Sequence, residues 1–170
     1  VGIAFSYGKG AAYYLPIPEN NDEAQELIEI LRPFFENEHI VKIGQNLKYD
    51  IKVLKKYQVD VKGFLFYTMI AHYLINPDIR HNMDVLAETY LQYQPKPIEE
   101  LIGKKGKGQK SMRDVPVEEV KEYAGEDADI TYQLKEIFAP KLEQAKTREL
   151  FETIESPLVS VLADMEAEGI

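Results

Sequence analysis

Apolar positions along this chain switch repeatedly between a period of two and a helical period. Val1–Tyr7 and Ala11–Ile17 are strand-like runs that flank Gly8-Lys9-Gly10, a hairpin signal. Leu27, Ile30, Leu31, Phe34 and Phe35 then predict a helix whose N-cap is Asn21 or Asp22. His39–Ile43 is a short β-branched run ended by Gly44, and a helix is predicted from about Asn46 to Tyr57. Val59–Phe66 offers another short strand, followed by a helix from Thr68 to Ile75 that Asn76-Pro77 stops. Asn82 caps a helix to about Tyr93, and Asp114 with Pro116 opens a longer one. Glu155-Ser156-Pro157 starts a last helix, with Ser156 as N-cap, proline in the first turn and Gly169 as C-cap. A hairpin followed by helices alternating with short strands predicts α/β or α+β with a mixed sheet.

One position breaks the apolar pattern. In the helix after Pro116 the inward positions are Val120, Ala124, Asp127, Thr131, Leu134 and Phe138, the spacing of one buried face. A carboxylate there needs a basic side chain, a hydrogen-bond donor or a metal ion, because an unpaired buried charge is expensive. Tyr123 lies four residues earlier, so its hydroxyl projects beside the same carboxylate. Glu126 and Asp129 fall off this face and read as solvated.

A second acid sits at a strand-to-helix corner. Gly44-Gln45-Asn46-Leu47-Lys48-Tyr49-Asp50 enters a helix whose apolar positions are Leu47, Ile51 and Leu54. Asp50 edges that face, and Asn46 shares its side. Taken alone, the simpler reading is that Asn46 caps the helix and Asp50 favours its first turn. With Asp127 the pair gains chemical meaning. Carboxylate oxygens suit Mg²⁺ or Mn²⁺, and two such ions drive in-line phosphodiester hydrolysis. Two acids are too few for that, and Asp84, Glu88, Glu126 and Asp129 do not fill the gap.

Composition narrows the field. A chain of 170 residues fits one domain with a real core. It has no cysteine, which excludes disulfides, thiolate metal sites and a cysteine nucleophile. No apolar run approaches the ~20 residues of a membrane span. The net charge of −9 argues against strong nonspecific binding to nucleic acid. The exception is Gly103–Arg113, where Lys104, Lys105, Lys107, Lys110 and Arg113 carry no intervening acid. It reads as a mobile basic loop, either merely solvated or steering phosphates. His39, His72 and His81 are scattered and read as structural.

These stretches resemble a known family. Gly-Gln-Asn-Leu-Lys-Tyr-Asp (44–50) and Tyr-Ala-Gly-Glu-Asp-Ala-Asp (123–129) are similar to the second and third exonuclease motifs of bacterial DNA polymerase I. Arg80 to Glu88 resembles the segment between them, and Glu155 onward resembles the helix leading to the polymerase. The resemblance implies an α/β, ribonuclease H-like mixed sheet flanked by helices, and proofreading hydrolysis of the 3′-terminal phosphodiester of DNA. It implies two divalent ions (Mg²⁺ or Mn²⁺), with Asp127 a direct ligand, Asp50 a ligand through water and Tyr123 orienting the attacking water. Gln45, Asn46, Tyr49 and Arg80 match positions that hold the single-stranded 3′ end. The implied partners are that strand and a polymerase domain of the same chain, in the bacterial cytoplasm at the nucleoid, with no membrane.

Two departures qualify the resemblance. The family's Asp-x-Glu motif belongs to a strand before Val1. Residues 1–154 are therefore expected to be an exonuclease domain without its first strand, inactive alone, able to lack metal, and able to dimerise through the exposed sheet edge. Residues 155–170 are expected to begin the linking helix. The family also commonly reads Phe-Asp-Thr where this chain has Phe66-Tyr67-Thr68, a change expected to cost stability more than chemistry. A ribonuclease D-like enzyme acting on RNA 3′ ends, and a silent structural or strand-binding domain, are the alternatives.

Overall fold

The structure, a computed structural model, describes residues 2–169, so Val1 of the predicted first strand lies outside the described residues. Strands β1 (Gly2–Gly8) and β2 (Ala11–Pro16) form the expected antiparallel hairpin. Its turn needs Gly10, whose φ of +75° disfavours a side chain. Helix α1 (Asn21–Phe35) follows, capped one residue earlier than predicted: the Asn20 side chain accepts from the Asp22 and Glu23 amides. Then come β3 (Lys42–Gly44), α2 (Leu47–Lys55), β4 (Leu65–Tyr67) and α3 (Thr68–Ile75). Next are α4 (Met83–Leu91), α5 (Glu99–Ile102) and the long α6 (Val117–Gln144). A short α7 (Arg148–Leu150) runs through a π turn at Phe151–Glu155 into α8 (Ser156–Ala167).

The hairpin lies between two helices because its side chains alternate. Ile3 and Phe5 pack with Ile28 and Phe35 of α1. Tyr14 packs with Val120 of α6 on the other side. β3 and β4 pair in parallel, with Gly44 opposite Tyr67. Both strand directions are present, but among the described residues the two pairs do not hydrogen-bond to one another. The principal core joins Phe66 to Leu86 of α4, to Leu134 and Phe138 of α6, and to Phe151.

Several local expectations are corrected. On α1, Ile28 is the buried residue and Ile30 is exposed, since two helical positions differ by 200°. The strand expected over Val59–Phe66 is reduced to Leu65–Tyr67. Ser156 does not cap α8, because helical backbone already precedes it. It is buried and donates instead to the Leu65 carbonyl. Asp114 belongs to a separate 3₁₀ turn, Met112–Asp114, closed by a capping box with Ser111.

Candidate active site

The parallel strands β3 and β4 end side by side, and both run directly into helices. This is where open α/β sheets present ligand-binding groups. Gly44 permits the tight exit, since a Cβ there would come within 2.4 Å of the Leu47 side chain. Gln45 follows. Its Oε1 accepts from Thr68 Oγ1 at the start of α3, and its Nε2 donates to the His81 carbonyl at 2.6 Å. Gln45 therefore bridges three segments and keeps one amide hydrogen for another partner. Asn46 stands at the N-cap of α2 but its side chain makes no capping bond, contrary to the simpler reading of this corner. Tyr49 is 66% exposed and Arg80 is exposed on the loop between α3 and α4.

Asp50 keeps an open path to solvent although protein atoms crowd around it. That crowding raises its pKa, and the α2 backbone amide opposes the rise. Below it lies Tyr67, 2% exposed, whose hydroxyl is buried with no hydrogen-bond partner of proper geometry. Burial pushes Tyr67 up to about 12; Ser160 opposes this and the charge of Asp50 adds to it.

Asp127 is half-buried on α6, beside Tyr123. Burial raises its carboxyl to about 6; the Tyr123 hydroxyl pulls the value down and the Glu126 charge pushes it up. Tyr123 is in turn raised to about 12, first by burial and then by Asp127. Among the described residues neither Asp127 nor Asp50 has an ion-pair partner. Glu126 and Asp129 are partly exposed, as the helical spacing suggests, but each is also hydrogen-bonded to other groups. Glu126 accepts from the Tyr93 hydroxyl and the Lys96 amide, and Asp129 from the Gly10 amide and Gln133. Both fasten loops to α6.

Two carboxylates without cations, both raised by burial, suit a hard divalent ion. No group of three or more His, Cys, Asp or Glu converges among the described residues. Asp127 and Tyr123 are neighbours on α6, and Asp50 stands on α2.

The basic stretch is anchored next to Tyr123. Leu101 and Val115, before and after it, pack in one cluster with Tyr123 and Met112. The Lys110 amide donates to the Ile102 carbonyl and closes the loop. Arg113 pairs with Glu19, while Lys104, Lys105, Lys107 and Lys110 have no ion pair among the described residues. Sequence reasoning missed a histidine pair: His72 and His81 meet through their Nδ1 atoms at 2.6 Å. Nine residues and a chain reversal at Asn76-Pro77 separate them, which hid the contact.

Known structures are similar to this arrangement. The POL domain of Pol1 from M. smegmatis, in complex with DNA primer-template and dNTP, matches with a TM-score of 0.72 at 18% identity, over 95% of this chain and 24% of that one. Brucella melitensis NrnC bound to pGG matches at 0.75 and 20% identity, over 96% and 74%. At those identities they show the fold, which is the ribonuclease H-like α/β class. A sequence model of the family described as 3′-5′ exonuclease matches residues 1–143, so the chain belongs to that family. Proteins described as DNA polymerase I from Borreliella burgdorferi and Chloroflexus aurantiacus are each 35% identical, over 100% of this chain and 18% of their own length. That from Rhizobium leguminosarum is 34% identical over 91% of this chain and 15% of its own. The chain thus spans under a fifth of the length of these relatives.

Proposed function

We propose that the chain is the proofreading 3′–5′ exonuclease domain of a bacterial DNA polymerase I, hydrolysing the 3′-terminal phosphodiester of DNA. The observation that carries the reading is Asp127: a half-buried carboxylate raised to about 6, with no cation beside it and with Tyr123 as its neighbour. A perturbed carboxylate without a structural partner marks a site. In this reading Asp127 holds Mg²⁺ or Mn²⁺ directly and Asp50 through water. Bound there, such ions would supply activation of the attacking water and support for the leaving oxygen.

The chain's own groups do the rest. Tyr123 stays protonated at neutral pH because its pKa is about 12, so it orients the water by hydrogen bonding and does not act as a base. Tyr49 offers an exposed ring on which a terminal base can stack. Asn46, its side chain uncommitted to the helix, and the spare amide hydrogen of Gln45 face the sugar-phosphate. Arg80 meets a phosphate. The unpaired lysines 104–110 draw the single strand toward Tyr123 on a body otherwise too acidic to bind it. α8 leads toward a polymerase domain, and β1, which pairs only with β2 among the described residues, offers an edge through which two copies can associate. The setting is the bacterial cytoplasm, at the nucleoid.

The test uses the full-length protein with Mg²⁺ and 5′-labelled single strands. Stepwise shortening of DNA from the 3′ end supports the reading. Preference for RNA points to a ribonuclease D-like enzyme, and binding without shortening to a silent domain.

A further inference from the structure

The loop of residues 76–82 joins α3 to α4 and carries Arg80. Two contacts tie it down at the next residue. Gln45 Nε2 holds the His81 carbonyl, and His72 Nδ1 holds His81 Nδ1, each at 2.6 Å. His72 lies on α3 and is fully buried. Its Nε2 is 3.0 Å from the Tyr90 hydroxyl on α4, and its ring centroid is 5.4 Å from that of Phe138 on α6. Three helices therefore fix its orientation.

A contact between two Nδ1 atoms requires one to donate and the other to accept, so the rings adopt complementary tautomers. In either case the Tyr90 hydroxyl satisfies His72 Nε2, because it can donate or accept. Burial, and then His81, hold His72 down at about 4, which leaves it neutral at ordinary pH. The other titratable groups facing the pair are Tyr73, edge-on to His81 at 5.6 Å, and Lys141, 5.6 Å over the Tyr90 ring. An apolar side chain would fill the His72 position as well. What it would not supply is a directional hold on the loop.

We propose that His72 and His81 are positioning residues that, with Gln45, brace loop 76–82 so that Arg80 presents its guanidinium to the phosphate of a bound strand. The inference rests on the reading of Arg80 as a strand contact. The brace acts on binding rather than on the chemical step, and Arg80 itself is left exposed without an internal partner among the described residues.

Steady-state trimming of single-stranded DNA by the full-length protein separates the possibilities. Arg80→Ala should raise KM about tenfold, as expected for removing one charge-assisted hydrogen bond. His72→Phe should raise KM by a similar factor, about five- to tenfold, with kcat within about twofold. His72→Asn, whose amide reproduces the Nδ1 side of the ring, should restore most of the affinity. The double variant His72→Phe/Arg80→Ala should bind no worse than Arg80→Ala alone, because the brace works through Arg80. His81→Ala, at a partly exposed position, repeats the measurement should His72→Phe fail to fold. An unchanged KM in Arg80→Ala defeats the reading of Arg80 and the brace with it. A raised KM there, with wild-type KM in both histidine variants, defeats the brace alone. So does a His72→Phe penalty that adds in full to that of Arg80→Ala.

Discussion

Asp127 and Asp50 are the same residue type in two settings. Asp127 sits half-buried in the middle of a 28-residue helix whose other inward positions are apolar or small, and burial raises it to about 6. Asp50 sits in the first turn of a nine-residue helix, open to solvent, with the helix amide countering the rise. One carboxylate is held in place at a cost to the fold. The other is close to where a carboxylate would sit anyway. The difference suits the proposed roles, a direct metal contact for Asp127 and a water-mediated one for Asp50. It also predicts that the two respond differently when neutralised.

The largest effect is expected for Asp127→Asn. Exonuclease activity should fall on the order of 10³-fold, as when a group aimed at developing charge is removed. Stability should move the other way. A folded pKa above the ordinary 3.8 means the folded state binds this proton more tightly, so Asp127 is most favourable at low pH and its contribution is lost as pH rises through about 6. Asparagine removes that loss. In metal-free buffer at pH 8 the variant should gain roughly 1–2 kcal/mol, less than the full shift implies because water screens part of the side chain. Denaturant melts at pH 5 and pH 8 measure both the sign and the slope.

Asp50→Asn should cost less activity, about 10²-fold, and leave stability within about 0.5 kcal/mol of wild type, as for other exposed positions. Equal stabilisation by both variants would erase the distinction. Tyr123→Phe comes next, with a fall in activity of about 10- to 100-fold, typical of groups that orient a ligand. Because the Tyr123 hydroxyl lowers Asp127, its removal should lift Asp127 further above 6. The smallest effect belongs to the loop. Replacing Lys104, Lys105, Lys107 and Lys110 by alanine should leave kcat unchanged and flatten the dependence of log KM on log salt by about 0.7 for each phosphate that the loop no longer neutralises. An unchanged slope would remove the loop from the binding surface.

The two lysine groups make a related contrast. Lys48, Lys52 and Lys55 of α2 are committed to Glu166 and Asp164 of α8 and serve the fold. Composition alone would count them with the loop lysines, because ion pairing between helices more than 100 residues apart leaves no local signal.

The α6 stripe is visible in the sequence because a helix of that length repeats its period many times over. Five of the inward positions are apolar or small, so the sixth stands out. The α2 corner is recognisable from its motif, not its physics, since capping explains Asn46 and Asp50 as well. Shorter elements give weaker signals. Val59–Phe66 alternates like a strand, yet only Leu65–Tyr67 finds a neighbour, because pairing depends on β3 from a distant part of the chain. Ser156 precedes proline in the manner of an N-cap, but its hydroxyl is needed 91 residues away at Leu65. The His72–His81 pair is out of reach for the same reason: a contact made by tertiary folding has no period.

What sets Asp127 apart is a burial penalty that a bound divalent cation, as proposed, would relieve. Its side-chain carboxyl can be titrated by NMR in the full-length protein, first metal-free and then with saturating Mg²⁺. The expected metal-free pKa is about 6, falling below the ordinary carboxylate range when Mg²⁺ binds. A metal-free value near 3.8, unmoved by Mg²⁺, would overturn the assignment of Asp127 as a metal ligand.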